Sequence, residues 1–167
     1  MIGGILKYLN KGNKNVVFSY KALRRLIGFL GILLPIVLIL GGWIFAKDSV
    51  QQSISLYYYS NMRDFLVGIL FLVALFLMTY KGTLVIDNVI TTITGIAGLS
   101  VAIFPCFNEF FETQRVGIFQ MYPSTSNIFH LSFASLFFIL LAINSIFLFT
   151  RKSGPVTQQK LKRNKIY

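Results

Sequence analysis

The chain has 167 residues, of which 55% are hydrophobic and 13% are charged, and Cys106 is its single cysteine. A soluble domain of this size could not bury so many apolar residues, and one cysteine excludes both an intrachain disulfide and a multi-cysteine metal site. The net charge of +11 would suggest a nucleic-acid partner in a soluble protein, but the basic residues cluster as a membrane topology requires, so none is predicted.

Four apolar runs separate a basic arm at residues 1–25 from a basic tail at residues 151–167. The runs predict transmembrane helices at about residues 26–46, 63–80, 84–104 and 128–149. The predicted fold class is therefore an all-α membrane protein, a four-transmembrane-helix bundle that occupies residues 26–150. The lipid bilayer is its first expected partner.

The distribution of charge predicts the orientation of this bundle. The basic arm, the turn at Lys81 and the basic tail together hold 13 of the 16 lysine and arginine residues. Positive residues favour the cytoplasmic side of a membrane, so both termini are predicted to be cytoplasmic. We expect an integral protein of the bacterial cytoplasmic (inner) membrane.

The second apolar run, Phe65–Tyr80, is only 16 residues long. To span the bilayer its helix must extend outward through Arg63 and Asp64, which places both charges at the membrane boundary. Ionisable residues at that depth are costly, usually have partners, and often mark functional sites.

Polar residues of the two outer loops and helix ends form the predicted ligand-binding cluster. Arginine suits bidentate contact with phosphate or carboxylate, and serine and tyrosine add hydrogen bonds. The leading interpretation is a small, non-enzymatic binding or accessory protein that engages an anionic lipid headgroup or a membrane partner through this cluster. Its predicted members are Ser53, Ser55, Tyr57, Tyr58, Arg63, Asp64 and His130.

Two alternatives remain open for the same residues. A membrane-embedded lipid hydrolase would use His130 as the base, with Ser53, Ser55 or a metal-bound water as the nucleophile. The chain has no G-x-S-x-G elbow and no H-E-x-x-H motif, so the sequence predicts neither a metal site nor a cofactor. The other alternative is a structural subunit of a larger membrane complex, in which the polar residues serve the fold.

A second polar cluster is predicted at the cytoplasmic ends of the helices. A carboxylate inside a membrane could relay protons or cations, but the second span has no polar group at mid-depth to continue a relay. The cluster is therefore interpreted as structural, fixing spans two, three and four. Its members are Lys81, Asp87, Asn88 and Asn144.

The loop at residues 106–125 is rich in phenylalanine. Because its aromatic side chains need apolar surroundings, we expect the loop either to lie in the membrane interface or to fold over the outer ends of the helices.

Several motifs together resemble a group of small, uncharacterised bacterial multi-pass membrane proteins. The matching stretches are S-Y-K-A-L-R-R-L-I-G-F-L-G-I-L-L-P at Ser19–Pro35, S-I-S-L-Y-Y at Ser53–Tyr58, R-D-F-L-V-G at Arg63–Gly68, Y-K-G at Tyr80–Gly82 and F-P at Phe104–Pro105. The resemblance implies a helical membrane protein whose characteristic polar residues are the S-I-S-x-Y-Y and R-D motifs. It implies no activity.

Overall fold

The computed structural model describes residues 20–47, 49–80, 82 and 84–148. This part of the chain is all-helical, which confirms the predicted all-α class. Its four long helices are α1 (Tyr20–Gly41), α2 (Arg63–Thr79), α3 (Val85–Ile103) and α4 (Pro123–Ile143). Shorter elements are the π-helical turns Gly42–Ala46 and Asn144–Leu148, which continue α1 and α4, and the 3₁₀ helices Ile54–Tyr59 and Glu109–Phe111.

Within the described residues, three helices are long and apolar enough to cross a membrane. They are Ala22–Phe45, Val85–Ile103 and Pro123–Leu148, with 24, 19 and 26 residues. The fourth, α2, has 17 residues, or about 26 Å at the α-helical rise, against a hydrocarbon core of roughly 30 Å. The described structure therefore provides three membrane-length helices, and the fourth span stays a prediction.

The ends of two helices differ from their predicted positions. α1 begins at Tyr20, so the last residues of the predicted basic arm are helical, while residues 1–19 and 149–167 lie outside the described part. α4 begins at Pro123 rather than near residue 128. Proline suits the first helical position because its φ is preset and its missing N–H would be unpaired there anyway. Hydropathy misses this start because the first turn of α4 is polar.

The helices run alternately up and down. α2 packs against both α1 and α3, and α3 also packs against α4. We call the end of the bundle that carries residues 47–62 and 104–122 the loop end. The opposite end, where residues 80–84 connect α2 to α3, is the turn end.

Glycines allow α3 to lie in the middle of the bundle. A Cβ at Gly95 would lie 2.6 Å from the Ala74 carbonyl oxygen of α2, and a Cβ at Gly98 would lie 2.8 Å from the Phe137 ring of α4. Small residues at such contacts let helix backbones approach each other closely. α3 therefore packs closely against α2 on one side and α4 on the other.

Two apolar clusters form the core. One joins all four helices and contains Ile27, Val73, Leu77, Ala97 and Phe137. The other contains Leu38, Tyr57, Tyr58, Met62 and Leu66. This second cluster fixes the 3₁₀ helix Ile54–Tyr59 against α1 and α2 at the loop end, where it positions the candidate site.

Candidate functional site

The 3₁₀ helix Ile54–Tyr59 carries the first part of the site. The Ser53 side chain caps it by accepting a hydrogen bond from the Leu56 N–H at 3.3 Å. Residues three apart in a 3₁₀ helix lie one above the other. Ser55 and Tyr58 therefore share a face, and both line a cavity inside the bundle.

Ser55 and His130 are brought together although they are 75 residues apart. The Ser55 hydroxyl lies 3.1 Å from Nε2 of His130, and Nδ1 of the same ring lies 2.7 Å from the Phe104 carbonyl oxygen. A carbonyl can only accept, so Nδ1 is the donor. In the neutral imidazole this leaves the Nε2 lone pair to accept the Ser55 O–H. The buried ring thus links the 3₁₀ helix, the end of α3 and the start of α4.

The cavity extends from Ser55 and His130 into the space between the four long helices. Its volume is about 240 Å³. Its wall is almost wholly apolar, with contributions from all four helices that include Leu30, Leu34, Val73, Val101, Ala134 and Phe137. Ser55, Tyr58 and His130 place polar groups on this largely apolar surface.

Arg63 lines a second space, a groove that Tyr58 also lines. Its Nη2 donates to the Tyr58 hydroxyl at 2.7 Å, and its guanidinium carbon lies 4.3 Å from the centroid of the same ring. The groove has a volume of about 340 Å³ and is also lined by Asp64 and Ile118. Tyr58, Val67 and Ala102 line both spaces, so the groove that carries Arg63 and Asp64 adjoins the apolar cavity.

The phenylalanine-rich loop contacts the 3₁₀ helix Ile54–Tyr59 and the start of α4, whereas its Phe110 and Phe119 side chains are exposed, so neither of the two predicted positions is decided. Tyr59 donates its hydroxyl to the Cys106 carbonyl at 2.7 Å and stacks on Phe111 with ring centroids 4.9 Å apart. Ser126 of α4 donates to the Pro105 carbonyl at 2.8 Å. Burial at this contact raises the pKa of the Cys106 thiol to about 11 and also raises the pKa of Tyr59.

Five of the seven predicted ligand-binding residues border the cavity or the groove: Ser55, Tyr58, Arg63, Asp64 and His130. The other two have structural contacts. Ser53 caps the 3₁₀ helix. Tyr57 is 3% exposed within the loop-end core, and its hydroxyl accepts from the Gln51 N–H at 3.5 Å.

The predicted cytoplasmic cluster is divided into two separate sets of contacts. At the turn end, the Asp87 carboxylate accepts from the Leu84 N–H at 3.1 Å, and the Asn88 amide oxygen accepts from the Gly82 N–H at 2.7 Å. Asn144 instead donates to the Thr94 hydroxyl at 2.7 Å, about two turns further along α3. Lys81 lies outside the described residues.

Sequence reasoning missed the carbonyl of Phe104 as the partner of His130. The last carbonyls of a helix have no partner within the helix, and Phe104 directly follows α3. Pro105 cannot donate an N–H to this region. The F-P pair at the end of an apolar run was therefore a usable signal for an available acceptor.

Comparison with known proteins gives no match to a family model, a curated protein or a solved structure. The resemblance to small bacterial membrane proteins therefore stays a prediction. The described residues contain no group of three or more histidine, cysteine, aspartate or glutamate residues that could hold a metal ion.

Proposed function

We propose that the protein is an integral membrane protein that binds a lipid at the loop end, with an anionic headgroup on Arg63 and an acyl chain in the cavity. The observation that carries this proposal is that a groove with the Arg63 guanidinium adjoins an apolar cavity, with Tyr58 lining both spaces. The two spaces match the two halves of a lipid.

The headgroup contact follows from the position of Arg63. Arginine has five N–H donors arranged for carboxylate or phosphate oxygens, and the Tyr58 hydroxyl accepts from only one guanidinium nitrogen. The Tyr58 ring also holds the guanidinium plane beside the groove. The neighbouring Asp64 carboxylate repels further negative charge, which favours headgroups with one anionic group over polyanionic ones.

The acyl-chain contact follows from the size and lining of the cavity. A methylene group is about as large as a water molecule, roughly 30 Å³, so 240 Å³ holds a chain segment on the order of eight methylenes. A chain that comes from the bilayer leaves surroundings that are equally apolar, so its burial gives little hydrophobic gain. Selection among lipids must therefore come from the polar groups at the loop end.

The proposal includes α2 as a fourth span, with the loop end outside. α2 exposes apolar side chains along its length, including Phe65, Phe71, Leu72 and Leu75, as a lipid-facing helix does. The helix is short by roughly 4 Å, a mismatch that bilayers accommodate at modest cost. With four spans both basic termini lie on the cytoplasmic side of a bacterial inner membrane.

Reporters fused to the two termini test this topology. A fluorescent protein that matures only in the cytoplasm should be bright at both ends of the four-span protein. If α2 does not cross, three spans place the termini on opposite sides, and one fusion would be dark.

Native mass spectrometry of the gently extracted protein tests lipid binding. We expect a bound lipid mass in the wild type and its loss in Arg63→Ala. Charge-assisted hydrogen bonds contribute about 1.5–3 kcal/mol, so affinity should fall by about ten- to a hundredfold.

Arg115→Ala is the matched control. Arg115 also lies over a tyrosine ring, at 5.4 Å from the Tyr122 centroid, but it lines neither the groove nor the cavity. The control should therefore keep the lipid. Equal occupancy in all three proteins would refute the headgroup contact, and a common protein partner in place of lipid would support a structural subunit.

A further inference from the structure

Ser55 and His130 form a nucleophile–base pair at the loop end of the apolar cavity. We propose that the protein transfers the acyl group of an ester lipid onto Ser55 and then releases it by hydrolysis. This inference rests on the proposed function for the acyl chain in the cavity, and it goes beyond binding by assigning a reaction to the same site.

The geometry of the pair is that of an activated serine. The 3.1 Å separation of Ser55 Oγ and His130 Nε2 lies within the hydrogen-bond reach that base-assisted nucleophiles require. The Phe104 carbonyl holds Nδ1 at 2.7 Å and so fixes the tautomer whose Nε2 can take a proton. Phe104 is thus a positioning residue, in the place that a carboxylate occupies in other serine–histidine sites.

Tyr58 supplies a donor for the charge that develops on the carbonyl oxygen. Its oxygen accepts from Arg63 at 2.7 Å, so its own O–H is the group that can donate to a ligand. The adjacent guanidinium charge makes this O–H a stronger donor. Tyr58 lies one 3₁₀ turn after Ser55 on the same face, and both residues line the cavity.

The cavity determines which substrates can reach the serine. Its apolar wall suits an acyl chain, while its polar residues Ser55, Tyr58 and His130 lie where the chain would meet the ester. The Arg63 groove adjoins the cavity, and Tyr58 lines both spaces, so a headgroup on Arg63 leaves the ester near Tyr58. The substrate class is an acyl ester of a membrane lipid with one anionic headgroup.

The reaction balances with water as the only co-reactant. Ser55 Oγ bonds to the acyl carbon as His130 Nε2 takes its proton, and the carbonyl π pair moves to the oxygen facing Tyr58. When the electron pair returns from the oxygen to re-form the carbonyl, the bond between the acyl carbon and the lipid alcohol breaks, and that alcohol takes the proton from His130. The products are acyl-Ser55 and a lysolipid. Attack by water, with the same proton transfers, then yields a fatty acid and free Ser55.

An octyl fluorophosphonate tests the pair directly in the purified full-length protein, because a serine that is activated by a base displaces fluoride from phosphorus. Its chain matches the cavity. We expect one covalent adduct, which peptide mapping places on Ser55. His130→Gln should slow labelling by about a hundredfold or more, since it removes the base. Tyr58→Phe should slow it by about a hundredfold, as expected on loss of one oxyanion donor.

Ser132→Ala is the matched control, because Ser132 lies on α4 near His130, donates only to the Ile128 carbonyl of its own helix, and borders neither space. Its labelling rate should equal that of the wild type. Native mass spectra of the same samples report bound lipid separately. Wild-type protein that retains lipid but gives no adduct on Ser55 overturns acyl transfer and leaves lipid binding intact. An adduct on Ser53, or on any other residue in place of Ser55, also overturns it, and neither result depends on a variant that folds poorly.

Discussion

Gly95→Ala tests the closest contact between α2 and α3. The added Cβ would lie 2.6 Å from the Ala74 carbonyl oxygen and 2.5 Å from Cγ of Met78, whereas an ordinary contact is at least 3.4 Å. Met78 is a flexible side chain and can rotate away. The Ala74 oxygen belongs to the backbone, so the helices themselves must separate, by roughly 0.8 Å if no other relaxation occurs.

Such a separation weakens many contacts at once. A gap of this size forfeits about a quarter to a half of the dispersion energy of each affected atom pair, and overpacking of a well-packed interior costs about 1–3 kcal/mol. Alanine regains up to about 1 kcal/mol over glycine in helix propensity. The net loss in free energy of unfolding should be about 0–2 kcal/mol, or about 1–3 kcal/mol relative to a glycine-to-alanine change in a helix that meets no neighbour.

Gly28→Ala is the control for helix propensity. Gly28 lies in α1, and a Cβ there would meet nothing within 4 Å. The free energy of unfolding of both variants can be measured by reversible denaturation in mixed micelles. Gly28→Ala should be neutral or stabilising. If Gly95→Ala is equally stable, the α2–α3 backbones are not in the described contact, and the packing of α2 as part of the bundle is wrong.

Three further predictions concern Asn144, Asp87 and Cys106. Asn144→Ala and Thr94→Val should each destabilise the bundle, with a coupling of about 0.6–1.7 kcal/mol in a double-mutant cycle, and purely additive losses would contradict their hydrogen bond. Asp87→Asn retains an acceptor for the Leu84 N–H, whereas Asp87→Leu leaves that donor unpaired. An unpaired donor lowers the free energy of unfolding by about 1–3 kcal/mol, so Asp87→Leu should lose more stability than Asp87→Asn. Equal losses would contradict the capping role. Since burial raises the pKa of Cys106 from 9.0 to about 11, its thiolate fraction at pH 8 is about a hundredfold smaller than that of an ordinary thiol. Maleimide labelling should therefore be slow at pH 8 and accelerate toward pH 11, and fast labelling at pH 8 would refute the buried position.

The sequence predicted the helices well because apolar runs in this chain are long and clearly bounded. It failed at the start of α4, where the first turn, beginning at Pro123, is polar and hydropathy therefore reports a loop. The sequence indicated that α2 is barely long enough to cross a membrane. The helix in the structure is equally short, at 17 residues.

The candidate site was only partly predictable. The residue types were identified, but the sequence could not choose between Ser53 and Ser55, because that choice depends on the 3₁₀ geometry of the segment. Counting residues from the membrane boundary grouped Asn144 with Asp87. In the structure, Asn144 instead donates a hydrogen bond to Thr94. Matching positions by distance from the membrane boundary ignores helix tilt and the extra length of α4, so errors of one or two turns result.

The 3₁₀ helix Ile54–Tyr59 also constrains how the chain can change in length. With three residues per turn, inserting one residue between Ser55 and Tyr58 would rotate Tyr58 by about a third of a turn, away from the cavity that both side chains line. With Ser55 fixed, an insertion before Tyr57 would bring Tyr57 to the position of Tyr58 and move Tyr58 to that of Tyr59. Length variation in this outer segment should therefore be tolerated before Ser53 and forbidden within the six residues that follow it.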